Sequence, residues 1–266
     1  GGVLSARATD LATSLEATAP CADGREMDAV CVPARLAAGV VSACAGELVA
    51  IEVEAQRGGL RILAGRAEFT LYCADAADFP AALAADEAEE VASGEIAREA
   101  ILAAARISPI AKDGARRAFS TGVWLAVSGG NHEALVAAEH RMVQIGTRSL
   151  ISTGMGRCTP PRALRAAAAL LAGGIEASVR IAPGRIEFRI GSAMVSARLI
   201  DAELPDMGGI VPERSASPVG CDRAALASAV DLIGAASRVV VAEAARGELV
   251  VSTDISASAD GTPGAG

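Results

Sequence analysis

The sequence predicts an α+β fold of repeated units, each a short helix followed by an antiparallel meander of strands. Three observations carry that prediction. A block near the start recurs in the second half: Val32-Pro33-Ala34-Arg35-Leu36, Gly65-Arg66-Ala67-Glu68-Phe69 and Asp78-Phe79-Pro80 are followed, in the same order, by Thr159-Pro160-Pro161-Arg162-Ala163-Leu164, Gly191-Ser192-Ala193-Met194-Val195 and Glu203-Leu204-Pro205-Asp206. Pro33 and Pro161 stand 128 positions apart (161 − 33), Gly65 and Gly191 126 (191 − 65), and Pro80 and Pro205 125 (205 − 80), which is the mark of a duplicated domain. Ala-rich stretches opened by proline and closed by glycine read as helices, and short runs that alternate apolar and polar residues read as half-buried strands.

Taken in order, Leu36 to Ala45 is the first helix, opened by Pro33 and ended near Gly46. Ala50 to Glu54 alternates as a strand, Gln56-Arg57-Gly58-Gly59 turns the chain, and Leu60 to Ala64 returns. An acidic linker is expected over Ala85 to Ser93, then a helix over Ile96 to Arg106 and a strand over Gly122 to Val127. In the second copy Pro161 to Leu171 is helical and Gly173-Gly174 stops it. Ser178 to Ile181, Arg185 to Ile190 and Val195 to Ile200 follow as strands, with Ala182-Pro183-Gly184 as a turn. A Pro/Ser-rich linker covers Val211 to Ser217. Ile96-Ala97-Arg98-Glu99-Ala100-Ile101-Leu102 is echoed by Cys221-Asp222-Arg223-Ala224-Ala225-Leu226, so a third copy begins there. Acidic residues close comparable strands at Asp10, Glu139 and Asp254. These markers divide the chain into a partial first domain (1–85), a complete second domain (93–212) and a partial third (217–266) with a disordered tail from Ala257.

Composition narrows the function classes. Hydrophobic residues make up 52% and charged residues 21%, enough for buried cores, while aromatics are only 2%, so Val, Ile, Leu and Ala must fill them. The net charge of −8 repels a phosphate backbone at long range, which excludes wrapping of nucleic acid by the whole surface but allows a local basic face. Lys112 is the only lysine among the basic residues. The six cysteines (21, 31, 44, 73, 158 and 221) include no Cys-x-x-Cys pair and no histidine at ligand spacing, so buried free thiols in a reducing cytoplasm are expected. Neither a signal peptide nor an apolar run of membrane-crossing length is present in the sequence.

In their order and spacing, these residues resemble the bacterial sliding clamp, the β subunit of DNA polymerase III. The matching signatures are Ala8-Thr9-Asp10-Leu11, Val32-Pro33-Ala34-Arg35, Gly65-Arg66 with Phe69, Ala77-Asp78-Phe79-Pro80, His140-Arg141-Met142, Leu199-Ile200-Asp201 and Leu204-Pro205-Asp206. The resemblance covers nearly the whole chain and implies a DNA clamp fold, incomplete at both ends. It implies a non-enzymatic processivity factor that encircles duplex DNA without reading its sequence. By resemblance, the polymerase catalytic subunit and the clamp loader would dock through short hydrophobic peptides. An intact family member is a ring of two protomers in the cytoplasm, without a cofactor, a metal or a membrane.

Carried over residue by residue, the resemblance implies three surfaces. The DNA face would use Arg35, Arg98, Lys112, Arg116, Arg117, Phe119 and Arg162, contacts that position phosphates rather than specify bases. A peptide groove would use His140, Arg141, Met142, Pro205, Met207, Gly209, Ile210 and Val211, with Met142, Ile210 and Val211 as apolar walls for an extended peptide. The protomer contact would use Arg66, Phe69 and Leu71 on one rim and Ile233 on the other. The sequence departs from the family pattern at Glu139 (a glycine there), Gly209 (an arginine), Phe119 (a tyrosine) and Glu68 (a second basic residue).

Two other readings stand beside this one. The chain could be a truncated or degenerate clamp-like protein that binds partner peptides without closing a ring. It could also be an enzyme on an unrelated α+β scaffold, for which the motifs are poor. His132 and His140 are eight apart (140 − 132), wrong for a His-Glu-x-x-His zinc helix. Gly154-Met155-Gly156 lacks the lysine of a phosphate loop, and Ser128-Gly129-Gly130 reads as a turn rather than a nucleophile elbow.

Overall fold

A computed structural model describes residues 2–22, 27–44, 50–54, 59–81, 87–112, 114–138, 141–171, 175–206, 220–234, 241–245 and 248–252. The chain divides into two units, Gly1–Asp206 and Met207–Gly266.

The first unit opens with a hairpin of β1 (Gly2–Thr9) and β2 (Thr13–Cys21). A helix-plus-meander segment follows: β3 (Val30–Cys31), α1 (Ala34–Ala43), β4 (Ala50–Glu54), β5 (Gly59–Ala64), β6 (Ala67–Tyr72) and β7 (Ala74–Asp75). Two full helix-plus-meander halves come next. The first is β8 (Glu89–Ser93), α2 (Gly94–Ile107), β9 (Val123–Ser128), β10 (Asn131–Ala138) and β11 (Arg141–Gly146). The second is β12 (Arg157–Thr159), α3 (Pro161–Leu170), β13 (Ala177–Ala182), β14 (Arg185–Ile190) and β15 (Ala193–Arg198).

The two full halves exchange their leading strands. β8, which precedes α2, pairs with β13 of the other half, and β12, which precedes α3, pairs with β9. Each sheet therefore contains a strand from the opposite half, so neither half completes its sheet alone. One sheet runs β11-β10-β9-β12 and the other β1-β2-β15-β14-β13-β8. The pairing of β2 with β15 (Ala17↔Ala193, Leu15↔Val195) carries the second sheet across the two segments expected as separate first and second domains. β4, β5 and β6 form a smaller three-stranded sheet.

Helices α2 and α3 pack against each other over the sheets. α2 buries Ala97, Ala100, Ile101, Ala104 and Ile107, three and four residues apart, which is the single apolar stripe of a half-buried helix. α3 starts on Pro161, whose missing N–H is no loss in a first turn, and buries Ala163, Leu164 and Ala167. The alanines let the helices approach closely, while Phe188, Ile186, Val179 and Val195 supply volume from the sheet. In the second unit, α4 (Arg223–Gly234) precedes a hairpin of β16 (Val241–Ala245) and β17 (Glu248–Ser252), repeating the helix-then-strands order.

Several expectations shift. The first helix begins at Ala34, directly after Pro33, and the last strand of the second copy begins at Ala193, because Gly191 and Ser192 form a two-residue turn that pairs Ile190 with Ala193. The acidic segment read as a linker contains strand β8, since an edge strand can point Glu89 and Glu90 to solvent while its backbone pairs. β10 did not stand out by alternation because both its faces are covered, from His132 to Ala138. The thiols are less buried than expected: Cys158 is buried, Cys221 is exposed, and Cys21, Cys31, Cys44 and Cys73 are half-buried. The linker over Val211 to Ser217 and the tail from Ala257 lie outside the described residues.

Candidate functional site

The loop between α2 and β9 gathers four of the seven expected DNA-facing residues. Lys112, Arg116 and Arg117 are exposed there, and Phe119 is half-buried on a single 3-10 turn, Ala118–Ser120. The Lys112 amide donates to the Ser120 carbonyl at 3.1 Å, closing the loop. Trp124 Nε1 donates to the Phe119 carbonyl at 3.1 Å, which anchors that turn to β9. The Arg117 guanidinium lies 6.0 Å from the centre of the Phe119 ring, within cation–π range, so the ring that lacks a hydroxyl still orients a charge.

The remaining three lie on helices. Arg35 is exposed in the first turn of α1. Arg98 on α2 is half-buried, and its Nη1 donates to the carbonyl of Leu171 at 2.9 Å. That carbonyl is at the C-terminal end of α3, where the helix dipole favours a cation, so Arg98 ties the two helices together. Arg162, in the first turn of α3, is ion-paired through Nη1 with Oδ2 of Asp10. Asp10 Oδ1 also accepts from the amides of Ala12 at 3.1 Å and Thr13 at 2.7 Å. Burial opposes ionisation of this carboxyl, but the Thr13 amide, Arg162 and the Ala12 amide outweigh it and hold it below its ordinary range.

For the expected groove, Arg141 is exposed and Met142 half-buried on β11, the outer strand of its sheet, opposite Ala138 and Ala137. Pro205 is exposed. His140, Met207, Gly209, Ile210 and Val211 lie outside the described residues. β11 is braced from the neighbouring strand β10 by Glu133, which is 1% exposed. Its Oε1 accepts from Gln144 Nε2, and its Oε2 accepts from the amides of Leu150 and Ile151, the latter at 2.6 Å. Glu133 was missed by sequence reasoning because one acid in an apolar strand carries no spacing signal; only its three converging donors reveal the role.

For the expected protomer contact, β6 is an outer strand of its sheet, with Arg66 exposed at its leading turn and Phe69 half-buried. Leu71 is buried with Leu60 and Ile62, so its side chain serves the local core. Glu68 accepts from Arg61 Nε at 2.7 Å, and this bond holds its carboxyl below the ordinary range. Ile233 is half-buried on α4 of the second unit.

No three His, Cys, Asp or Glu side chains among the described residues are arranged to hold a metal. His132 is buried under α2 with Nδ1 3.8 Å from Glu99 Oε2. Burial pushes the Cys158 thiol up to about 12. No helix among the described residues is long and apolar enough to cross a membrane.

Comparison with solved structures decides the fold. The sliding clamp of Pseudomonas aeruginosa bound to griselimycin superposes with a TM-score of 0.78 at 23% identity, covering 94% of this chain and 69% of that one. Another Pseudomonas aeruginosa sliding clamp, with a ligand, gives 0.74 at 23% over 88% of this chain and 64% of that one. The Caulobacter crescentus clamp gives 0.72 at 22% identity over 94% and 70%. The chain has the sliding-clamp fold. It spans 64% of the length of the first two clamps it matches, under two thirds. No family model and no curated protein matches it by sequence. In this fold β2 pairs with β15, and β11 and β6 are outer strands.

Proposed function

We propose that this chain is a processivity clamp, or a large part of one, that tethers a replicative polymerase to duplex DNA and performs no covalent chemistry itself. The observation that carries this reading is the clamp fold over 88–94% of the chain. A tether works by effective concentration: a partner held on a ring around DNA rebinds its template before it diffuses away, so modest peptide affinity is sufficient. The loop with Lys112, Arg116, Arg117 and Phe119 is the part of the proposed DNA face best suited to touch phosphates, because its charges are exposed on a braced turn. Partner peptides of the polymerase and clamp loader would meet the chain along β11, at Arg141 and Met142. Arg35, Pro205, Arg66, Phe69 and Ile233 keep the roles that the resemblance assigns them.

One observation favours a second reading, a clamp-like protein that binds peptides without closing a ring. Glu68 brings an acid to β6, the strand proposed to meet a second protomer, and that acid is bound to Arg61. Light scattering separates the two: a two-protomer mass supports the ring, and a monomer at high concentration supports the second reading. Titration with a short hydrophobic polymerase-tail peptide tests the groove. Met142→Ala is expected to weaken binding several-fold, and unchanged affinity removes β11 from the groove.

A further inference from the structure

Resting on the reading of α3 as part of a DNA face, we propose that Asp10 is an electrostatic rival of DNA phosphate for Arg162, so that Arg162 is masked rather than available. The two residues are 152 positions apart and come from different repeats: Asp10 follows β1 and Arg162 opens α3. The Asp10 carboxylate divides its work between its two oxygens. Oδ1 takes the amides of Ala12 and Thr13 and so builds the β1–β2 turn, while Oδ2 faces the guanidinium. Leu11, inside this turn, has φ 72°, a left-handed conformation uncommon for leucine, so the carboxylate is aimed by a tightly constrained turn. The carboxylate is thus positioned before any ligand arrives. The Arg162 side chain is 72% exposed, so a phosphate could reach it, but it would first have to displace an anion fixed in place.

The two-oxygen arrangement supplies a clean test. Asp10→Asn keeps an oxygen for the two turn amides and replaces Oδ2 with an NH2 group, which repels the guanidinium and releases it. Binding of a fluorescent duplex is measured by anisotropy across a salt series. One added phosphate contact steepens the slope of log K against log salt by about 0.9. Asp10→Asn should therefore bind more tightly at low salt with a slope steeper by about that amount, and adding Arg162→Gln should abolish the gain. In the unmodified background Arg162→Gln should leave the slope unchanged, a comparison that does not need the Asn variant to fold. An unchanged slope in a folded Asp10→Asn, or a shallower slope in Arg162→Gln alone, overturns the masking. Absence of salt-dependent duplex binding in every protein, including the unsubstituted one, overturns the DNA-face reading and the masking with it.

Discussion

Removing the Glu133 side chain should loosen the ties from β10 to β11 and to the segment that follows it. Glu133→Ala deletes the acceptor for three groups: the amides of Leu150 and Ile151 and the Gln144 side chain. Leu150 and Ile151 are each 7% exposed, so water cannot readily replace the lost oxygen. A buried donor left without a partner costs about 1–3 kcal/mol. Gln144 can swing to solvent, so two amides set the scale, and the loss should be about 2–6 kcal/mol. For a unit of this size, about 2–4 °C of Tm follows each kcal/mol, giving a fall of roughly 4–24 °C. Glu133→Gln should cost far less. Its oxygen can keep the two amides, while its NH2 group faces a Gln144 amide that can flip to accept. Trp124, the sole tryptophan, is 6% exposed on β9, and its strand partner is Leu135, which shares a face of β10 with Glu133. Its fluorescence therefore reports unfolding in thermal and urea melts. A Glu133→Ala variant within about 1 kcal/mol of the unsubstituted protein, or a Gln variant as damaged as the Ala variant, would refute the reasoning.

Three further outcomes are expected. Arg117→Ala should weaken duplex association and flatten the salt slope by about 0.9, read by anisotropy; an unchanged slope removes the 112–119 loop from the DNA face. Gly122→Ala should destabilise the unit by about 1–3 kcal/mol, because the added Cβ would stand 2.5 Å from Cys158 Sγ and 2.7 Å from Ile200 Cδ1; a chemical melt at full stability would show that β9 and β12 can separate at no cost. Alkylation with iodoacetamide at pH 8 should modify exposed Cys221 and spare Cys158, whose thiol, at about 12, supplies almost no thiolate; peptide mass mapping with Cys158 labelled first would contradict its burial.

Much of the fold was legible because duplication leaves marks that do not depend on packing. Prolines at α1 and α3, Gly184 in the turn between β13 and β14, and the alternation in β4, β5, β13 and β14 are local signals, and each of these elements formed within a few residues of its expected place; Gly46, Gly58, Gly173 and Gly174 lie outside the described residues. β8 and β10 were not legible for opposite physical reasons. Charge on an edge strand imitates a linker, and burial on both faces erases alternation. For the proposed surfaces, chain order alone assembled the 112–119 loop, since its residues are neighbours in sequence.

The sequence by itself determined the helix-plus-meander order and the apolar stripes that bury α2 and α3. Those follow from steric preference and hydrophobic period, both properties of short segments. Only the tertiary structure decided that the two halves exchange β8 and β12, that Arg98 closes the end of α3, that Leu71 turns inward, and that Asp10 holds Arg162. The strand exchange, the Arg98 bond and the Asp10 pair join residues far apart in the chain, and a charge 152 positions from its partner has no local preference through which the sequence could announce the pair.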